Sequence, residues 1–348
     1  MNIAITGGGT GGHLSVAKAL ALECKNRGFR VIYIGSTNGQ DKLWFENCNI
    51  FSKSYFLKTT GVVNKKGFGK FKALALQFSA VMKCRKILKQ NNIQSIISVG
   101  GYSAGGGAMA SIICKIPLFI HEQNARLGNL NKILSPFATN IFSSFKINSK
   151  YFIQTSYPIN NEFFKLQRKR QNLESILFIG GSQGAMAIND FALNIVNDLL
   201  NRNIKIIHQC GVNDFEQVRD KYKKLGVLDK IDLFAFEPNL INKIIKADFC
   251  ISRAGASSLW ELCANGLPTY FIPYPFAAKN HQYYNALFLK DKGLCEVVEQ
   301  KNLNKENFFK YLDSVQLEQV SLKLMQEINN DGSKEIVDRI TKFLENRK

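Results

Sequence analysis

An α/β fold built from two nucleotide-binding halves, each a parallel sheet covered by helices and facing the other across a cleft, is what this 348-residue sequence predicts. Two observations carry the expectation. The first is a strand that runs straight into a glycine loop, Ile3-Ala4-Ile5-Thr6-Gly7-Gly8-Gly9-Thr10-Gly11-Gly12-His13, and its second occurrence, Ile176-Leu177-Phe178-Ile179-Gly180-Gly181-Ser182-Gln183-Gly184-Ala185. A glycine turn between a buried strand and a helix lets the backbone approach a ligand closely, and the N–H groups of the helix start then face its polar or phosphate groups. The second is the alternation of short apolar runs with helical patterns along the whole chain, which gives parallel sheets with ligands at the carboxyl ends of the strands.

In chain order the N-terminal elements are a strand over Ile3 to Thr6, a helix over Ser15 to Arg27, a strand over Val31 to Gly35, a helix over Phe71 to Gln90, and strands over Ser95 to Val99 and Pro117 to His121. The C-terminal half repeats the rhythm. Strands are expected over Ser175 to Ile179, Ile204 to Gln209, Ala247 to Ser252 and Thr269 to Pro273, with helices over Ile188 to Asn201 and Phe215 to Leu225. One core does not usually serve a chain of this length, so two domains are expected, residues 1–158 and 159–332, divided near Tyr157-Pro158. A last helix, about Ser333 to Asn346, fits either half.

Composition narrows the function. Eight cysteines stand singly, with no CxxC pair and no Cys/His cluster at metal-ligand spacing, which reads as a reduced, zinc-free, cytosolic chain. Met1-Asn2 leads directly into the first strand, so no secretory signal is expected. The longest uncharged stretch, Gln90 to Cys114, holds five glycines and suits a buried strand and loop better than a lipid-facing helix. Net charge is +19, and from Asn47 to His121 there is no acidic residue but +11 of Lys and Arg, which points to an anionic partner, either nucleic acid or an acidic membrane surface. Within it, Val62 to Lys89 combines Val62, Val63, Phe68, Phe71, Leu74, Ala75, Phe78, Val81 and Met82 with Lys66, Lys70, Lys72, Lys83 and Lys86, the composition of an interfacial helix and its approach loop.

The motifs sit at strand ends. Gly7-x-Gly9-x-x-Gly12 matches the dinucleotide fingerprint formally, but Ile34 is followed by Gly35-Ser36-Thr37-Asn38 and the acidic residue that would hold an adenosine ribose is missing, so a nicotinamide enzyme is not expected. His13 lies in the loop, where an imidazole is rarely needed for packing. His121-Glu122-Gln123-Asn124 follows an apolar run. Arg253-Ala254-Gly255-Ala256-Ser257-Ser258 opens a helix whose N-terminus and arginine suit an anionic diphosphate, and Glu261 on its first turns can reach ribose hydroxyls. His281-Gln282-x-x-Asn285 offers amides to a hydroxyl-rich ligand. No Asp-x-Asp metal motif occurs; Asp214-Phe215-Glu216 reads as the start of a surface helix.

Taken in order, Gly8 to His13, Gly100-Gly101-Tyr102, His121 to Asn124, Gly180 to Ala185, Arg253 to Ala256 and Gln282-Tyr283-x-Asn285 give a sequence that closely resembles the MurG family of GT-B glycosyltransferases. The resemblance implies an inverting transfer of N-acetylglucosamine from UDP-N-acetylglucosamine to the C4 hydroxyl of the lipid-linked N-acetylmuramic acid of lipid I, giving lipid II. It implies that Ser182 and Ala256, Ser257 and Ser258 meet the diphosphate, Glu261 the ribose, and Gln282 with Asn285 the sugar, while Thr10, Gly11, Gly12 and Asn124 close on donor and acceptor. His13, whose ordinary pKa is near neutral, is the first candidate base and Glu122 the second. Metal-independent chemistry without a cofactor is expected, with helix N-termini and Arg253 stabilising the departing UDP. Two positions depart from the family pattern: Asn160 stands where an arginine is common, and Glu237 where the uracil-facing segment is usually Phe-Ile. Attachment to the cytoplasmic face of the inner membrane through Val62 to Lys89 is expected, and nucleic acid is not. A UDP-sugar epimerase explains the donor motifs but not the basic apolar face; a nucleic-acid-binding protein leaves both glycine loops without a role.

Overall fold

The computed structural model of the protein describes residues 1–60, 68–148, 150–181 and 184–347. Two compact units result, Met1–Asn160 with Asn330–Lys348, and Asn161–Asn329.

The first unit runs β1 (Asn2–Thr6), α1 (Gly11–Asn26), β2 (Arg30–Ser36), α2 (Asp41–Phe45), β3 (Lys53–Leu57), α3 (Phe68–Gln90), β4 (Ser95–Ser98), α4 (Ala104–Ile113), β5 (Leu118–His121), α5 (Asn129–Leu134), β6 (Asn140–Ser143) and β7 (Phe152–Gln154). Its sheet has the order β3-β2-β1-β4-β5-β6-β7, with every pairing parallel. Strands covered on both faces by helices read as continuous apolar runs, and here Ile3, Ala4, Ile5, Ile32, Ile96, Ile97, Phe119 and Ile120 have no exposed surface. The strand order reverses between β1 and β4. That is the switch point at which open α/β sheets leave a crevice outside the carboxyl ends of their strands.

Gln90 to Cys114 forms a strand and then a helix, where a strand and loop were expected. The glycines of α4 explain the difference. A Cβ on Gly107 would lie 2.6 Å from Thr6 Oγ1, so this helix sits on the sheet at a distance only glycine allows, and on its other side Gly106 faces Ala80 of α3. Helix α1 begins at Gly11, ahead of the expected Ser15, because the helix takes up the end of the glycine loop.

The second unit runs α6 (Glu162–Lys165), β8 (Ser175–Ile179), α7 (Met186–Asn201), β9 (Lys205–Gln209), α8 (Phe215–Lys224), β10 (Ile231–Phe234), α9 (Ile241–Ile244), β11 (Phe249–Ser252), α10 (Ala256–Ala264), β12 (Thr269–Phe271), α11 (His281–Lys290), β13 (Cys295–Val297), α12 (Lys305–Ser314) and α13 (Leu317–Gln326). The sheet order is β10-β9-β8-β11-β12-β13, again all parallel, with its switch point between β8 and β11. Phe308 anchors the core beneath it, edge-on to Phe191, Phe249 and Tyr270.

The last helix, α14 (Gly332–Glu345), belongs to the first unit and packs on α1. Arg27 pairs with Asp338 at 2.5 Å, Ser156 N donates to Glu335 Oε2 at 2.9 Å, and Phe343 stands edge-on to Phe119.

Candidate active site

Both glycine loops fall at switch points. In the first unit the loop after β1 meets the loop after β4 backbone to backbone: Gly8 N donates to Gly100 O at 3.1 Å. Gly101 has φ +78°, and a Cβ there would lie 2.1 Å from Gly8 O, so two separate glycine motifs form one close-packed turn. Asp41, which sequence reasoning passed over, holds that turn. Its buried carboxylate accepts from Gly9 N at 2.6 Å, Ser36 N at 2.9 Å and the Tyr33 hydroxyl at 3.0 Å. Thus an acid does follow β2, but it is spent on protein backbone rather than offered to a ribose.

Thr10 sits at the start of α1 in extended conformation. Its hydroxyl turns to His13 Nδ1 at 2.9 Å instead of capping a backbone N–H. Gln123 holds the other edge of the imidazole, with its Nε2 3.0 Å from His13 Nε2, and the Tyr157 hydroxyl donates to Gln123 Oε1 at 3.5 Å. Donor and acceptor roles at the ring follow its tautomer; in the one with the proton on Nδ1, the Gln123 amide donates to Nε2 and Nδ1–H faces Thr10. The chain Tyr157–Gln123–His13–Thr10 therefore fixes the ring. Gln123 was not among the expected site residues although its neighbours Glu122 and Asn124 were; the signal available was its place inside the His121 to Asn124 segment.

Glu122 is buried and its carboxylate is fully occupied. Oε1 accepts from Asn124 N at 3.0 Å, and Oε2 accepts from Gly128 N at 2.9 Å and Asn131 Nδ2 at 2.8 Å. Asn124 is thereby shaped into a loop beside the His13 cluster. His121 ends β5 without exposed surface, its ring edge-on to Tyr157, and burial followed by the nearby His13 holds its pKa down at about 3.

In the second unit the β8 loop runs through Gly180 and Gly181 to Gly184 and Ala185; Ser182 lies outside the described residues. After β11, Arg253 directs Nη1 to the carbonyls of Ile272 (2.9 Å) and Pro273 (3.1 Å) and Nη2 to Gln300 Oε1 (3.0 Å), with Tyr274 under the guanidinium. Among the described residues, Nε–H and one Nη2–H take no further partner. Helix α10 opens at Ala256 behind Gly255 in extended conformation, and Ser257 and Ser258 follow. One turn on, Glu261 is half-buried and makes no ion pair among the described residues; desolvation pushes its carboxyl up to about 8.

Gln282 Oε1 accepts from Tyr274 N at 2.9 Å, which orients its NH2 group, and buried Asn285 donates to Ala254 O at 3.2 Å. Gln282 and Asn285 thus brace the loops after β12 and β11 respectively. Along the same edge of the sheet, exposed Met186, Val212 and Phe236 give an apolar rim, of which only the segment around Phe236 and Glu237 was singled out in the sequence. Among the described residues no group of His, Cys, Asp and Glu is arranged to hold a metal ion.

Each unit thus places a helix N-terminus and a set of hydroxyl- and amide-binding side chains at its switch point, and the first adds an imidazole held by hydrogen bonds on both edges. Such a set can bind a phosphorylated, hydroxyl-rich ligand and accept a proton from a hydroxyl.

Comparison with known proteins gives a consistent picture. The glycosyltransferase family 28 N-terminal domain matches residues 3–143, and the glycosyltransferase family 28 C-terminal domain matches residues 175–340. A relative from Helicobacter hepaticus named UDP-N-acetylglucosamine--N-acetylmuramyl-(pentapeptide) pyrophosphoryl-undecaprenol N-acetylglucosamine transferase is 53% identical over 98% of this chain and 99% of its own. The crystal structure of Acinetobacter baumannii MurG superposes with a TM-score of 0.77 at 27% identity, covering 98% of this chain and 99% of that one. A UDP-GlcNAc 2-epimerase from Neisseria meningitidis, bound to UDP-GlcNAc, reaches a TM-score of 0.66 at 13% identity over 98% and 100% of the two chains, and so shares the fold alone.

Proposed function

The chain belongs to the MurG family within glycosyltransferase family 28, and on that premise we propose that it transfers N-acetylglucosamine from UDP-N-acetylglucosamine to undecaprenyl-pyrophosphoryl-N-acetylmuramyl-pentapeptide, converting lipid I to lipid II in peptidoglycan synthesis. The observation that carries this reading is the 53% identity to a transferase of that name across nearly the whole of both chains.

The chemistry follows from the side chains. A sugar hydroxyl is a weak nucleophile, so its proton must pass to a base as the new bond forms. We assign that base to His13: the acceptor's C4 hydroxyl replaces the Gln123 amide at Nε2, its oxygen attacks C1 of N-acetylglucosamine from the face opposite UDP, and the C1–O bond to the β-phosphate breaks with its electron pair. Configuration at C1 inverts. Glu122 ranks behind His13 because both its oxygens are already occupied. The departing diphosphate gains stabilisation from the α10 N-terminus at Ala256, Ser257 and Ser258, from Ser182 in the β8 loop and from the two remaining Arg253 donors. Glu261 takes the ribose hydroxyls, Gln282 and Asn285 the sugar, and Phe236 with Val212 and Met186 the apolar face of the base. Thr10, Gly11, Gly12 and Asn124 border the acceptor.

The acceptor is lipid-linked, and α3 supports a membrane contact. Leu74, Phe78 and Met82 recur every fourth residue and are 49%, 69% and 44% exposed, beside exposed Lys83 and Lys86, while Ala80, Cys84 and Leu88 pack inward. Neighbouring α4 adds exposed Met109 and Ile113. Val62, Val63 and Lys66, and the side chains of Phe68, Lys70, Phe71 and Lys72, lie outside the described residues. Among those described, no helix is long and apolar enough to cross a membrane. An apolar stripe edged by lysines suits peripheral attachment to an anionic leaflet, the inner face of the cytoplasmic membrane.

The test is UDP release with a lipid I analogue in the presence of EDTA. Release should require the acceptor and persist in the chelator. Complete loss in EDTA, restored by magnesium, would overturn the leaving-group account, and consumption of UDP-N-acetylglucosamine without acceptor would favour an epimerase.

A further inference from the structure

A recess of about 660 Å³ opens at the opposite edge of the second sheet, where β8 begins at Ser175, β9 at Lys205 and β10 at Ile231. Strands of four or five residues separate it by roughly 15 Å from the carboxyl ends that carry the candidate active site. Its acids are mostly spoken for. Asp248 pairs with Arg168 at 2.7 Å and accepts from Ser175 Oγ at 2.9 Å, and Asp232 pairs with Lys243 at 2.6 Å. Of its cations, Arg168 is taken by Asp248 and Lys169 by Glu318, but Lys205, Lys230 and Lys246 also line the recess, all are exposed, and none makes an ion pair among the described residues. Only exposed Glu174 offers an unpaired carboxylate against these three ammonium groups.

Three uncompensated lysines on one concave surface raise the local potential and lower it again only when an anion enters. The volume lies within the range of about 300–1,000 Å³ usual for small-molecule sites. No aromatic side chain lines it, so nothing stacks on a nucleobase. We propose that this recess binds a small soluble ligand bearing two or more phosphate groups and no required base, at a site separate from that for the sugar nucleotide. The competing account is that the lysines merely complement the carboxyl ends of α7, α8 and α9, which terminate along the same edge. The two differ in what removing the lysines does: loss of a ligand in one case, loss of stability alone in the other.

Isothermal titration of the full chain with inorganic pyrophosphate at low salt, in saturating UDP, reads the site directly. Saturable binding is expected, at least tenfold weaker in K205Q/K230Q/K246Q, with UDP affinity and melting temperature nearly unchanged. ATP should bind no more tightly than tripolyphosphate. If UDP itself fails to bind, the functional reading above fails, yet the comparison of the two proteins with pyrophosphate still decides the recess. Equal pyrophosphate affinity in both proteins, no saturable binding, or a variant that loses melting temperature without losing a ligand would overturn the proposal. So would a variant that loses sedimentation with phosphatidylglycerol vesicles, since the recess would then be a lipid contact.

Discussion

His13 is useful as a base only while its ring is held and its Nε2 lone pair is within reach of a hydroxyl. Thr10 and Gln123 supply the first condition, and displacement of the Gln123 amide supplies the second. His13→Ala should therefore lower turnover on the order of a hundredfold or more while leaving UDP affinity nearly intact. Gln123→Glu is the more discriminating change. A carboxylate beside the imidazole favours its charged form, so the acid limb of the kcat profile should move to higher pH, since the reaction needs the neutral ring. Full turnover in His13→Ala with loss in Glu122→Ala would pass the role to Glu122.

Glu261 gives a second prediction at this scale. Its carboxyl rests at about 8 when folded against an ordinary value of 4.5, so between these pH values the folded chain holds a proton that the unfolded chain has lost. This contribution is present below pH 4.5 and is lost as pH rises through about 8. Melting curves of wild type and Glu261→Gln should coincide below pH 4.5, separate progressively between pH 4.5 and about 8 and keep a constant gap above it, the variant being more stable; UDP binding should weaken in the variant throughout. A wild-type advantage at high pH would contradict the burial account. At residue scale the sequence was informative about which loops matter but less so about which atoms. The two glycine loops were legible because glycine clusters directly after apolar strands are unusual. Asp41 and Gln123 were not, because a buried Asp on a backbone N–H and a Gln clamping an imidazole depend on contacts over 32 and 110 residues of chain.

Among elements, α3 separates local pattern from tertiary use. Its apolar residues were legible, but a helix this apolar can spend both faces on a core, and only packing decides. Ala80, Cys84 and Leu88 go inward against α4 and the sheet, which leaves Leu74, Phe78 and Met82 outside. Replacing Leu74 and Phe78 by Ser should reduce sedimentation with anionic vesicles without lowering the melting temperature, and added salt should weaken wild-type binding, each lysine near the surface contributing about 1 kcal/mol. Unchanged binding in the double variant, or equal binding to zwitterionic vesicles, would return α3 to an ordinary surface helix. Short edge elements such as β7 and β13, of three residues each, left no periodicity long enough to read. The glycine-rich α4 was hidden for another reason: Gly105, Gly106 and Gly107 have poor helix propensity, and close packing on Thr6 and Ala80 overrides it.

For the whole molecule, a repeat of one design explains why the fold class was legible. Each unit is a parallel sheet whose order reverses beside a glycine loop, and each puts a helix N-terminus at that reversal. The return of α14 to the first unit was not legible, since its amphipathic face fits either core; the Arg27–Asp338 pair and the Ser156–Glu335 hydrogen bond join segments more than 170 residues apart. The shared fold of the 13%-identical epimerase shows that this architecture alone does not fix the reaction, which rests on the acceptor and the base. The most direct measurement is therefore the structure of the product. With UDP-N-acetylglucosamine and a lipid I analogue in EDTA, the wild-type chain should form a single disaccharide whose NMR coupling at the new anomeric carbon reports a β linkage to the C4 oxygen. An α linkage, attachment at another hydroxyl, or an epimerised UDP-sugar with the acceptor untouched would contradict the account.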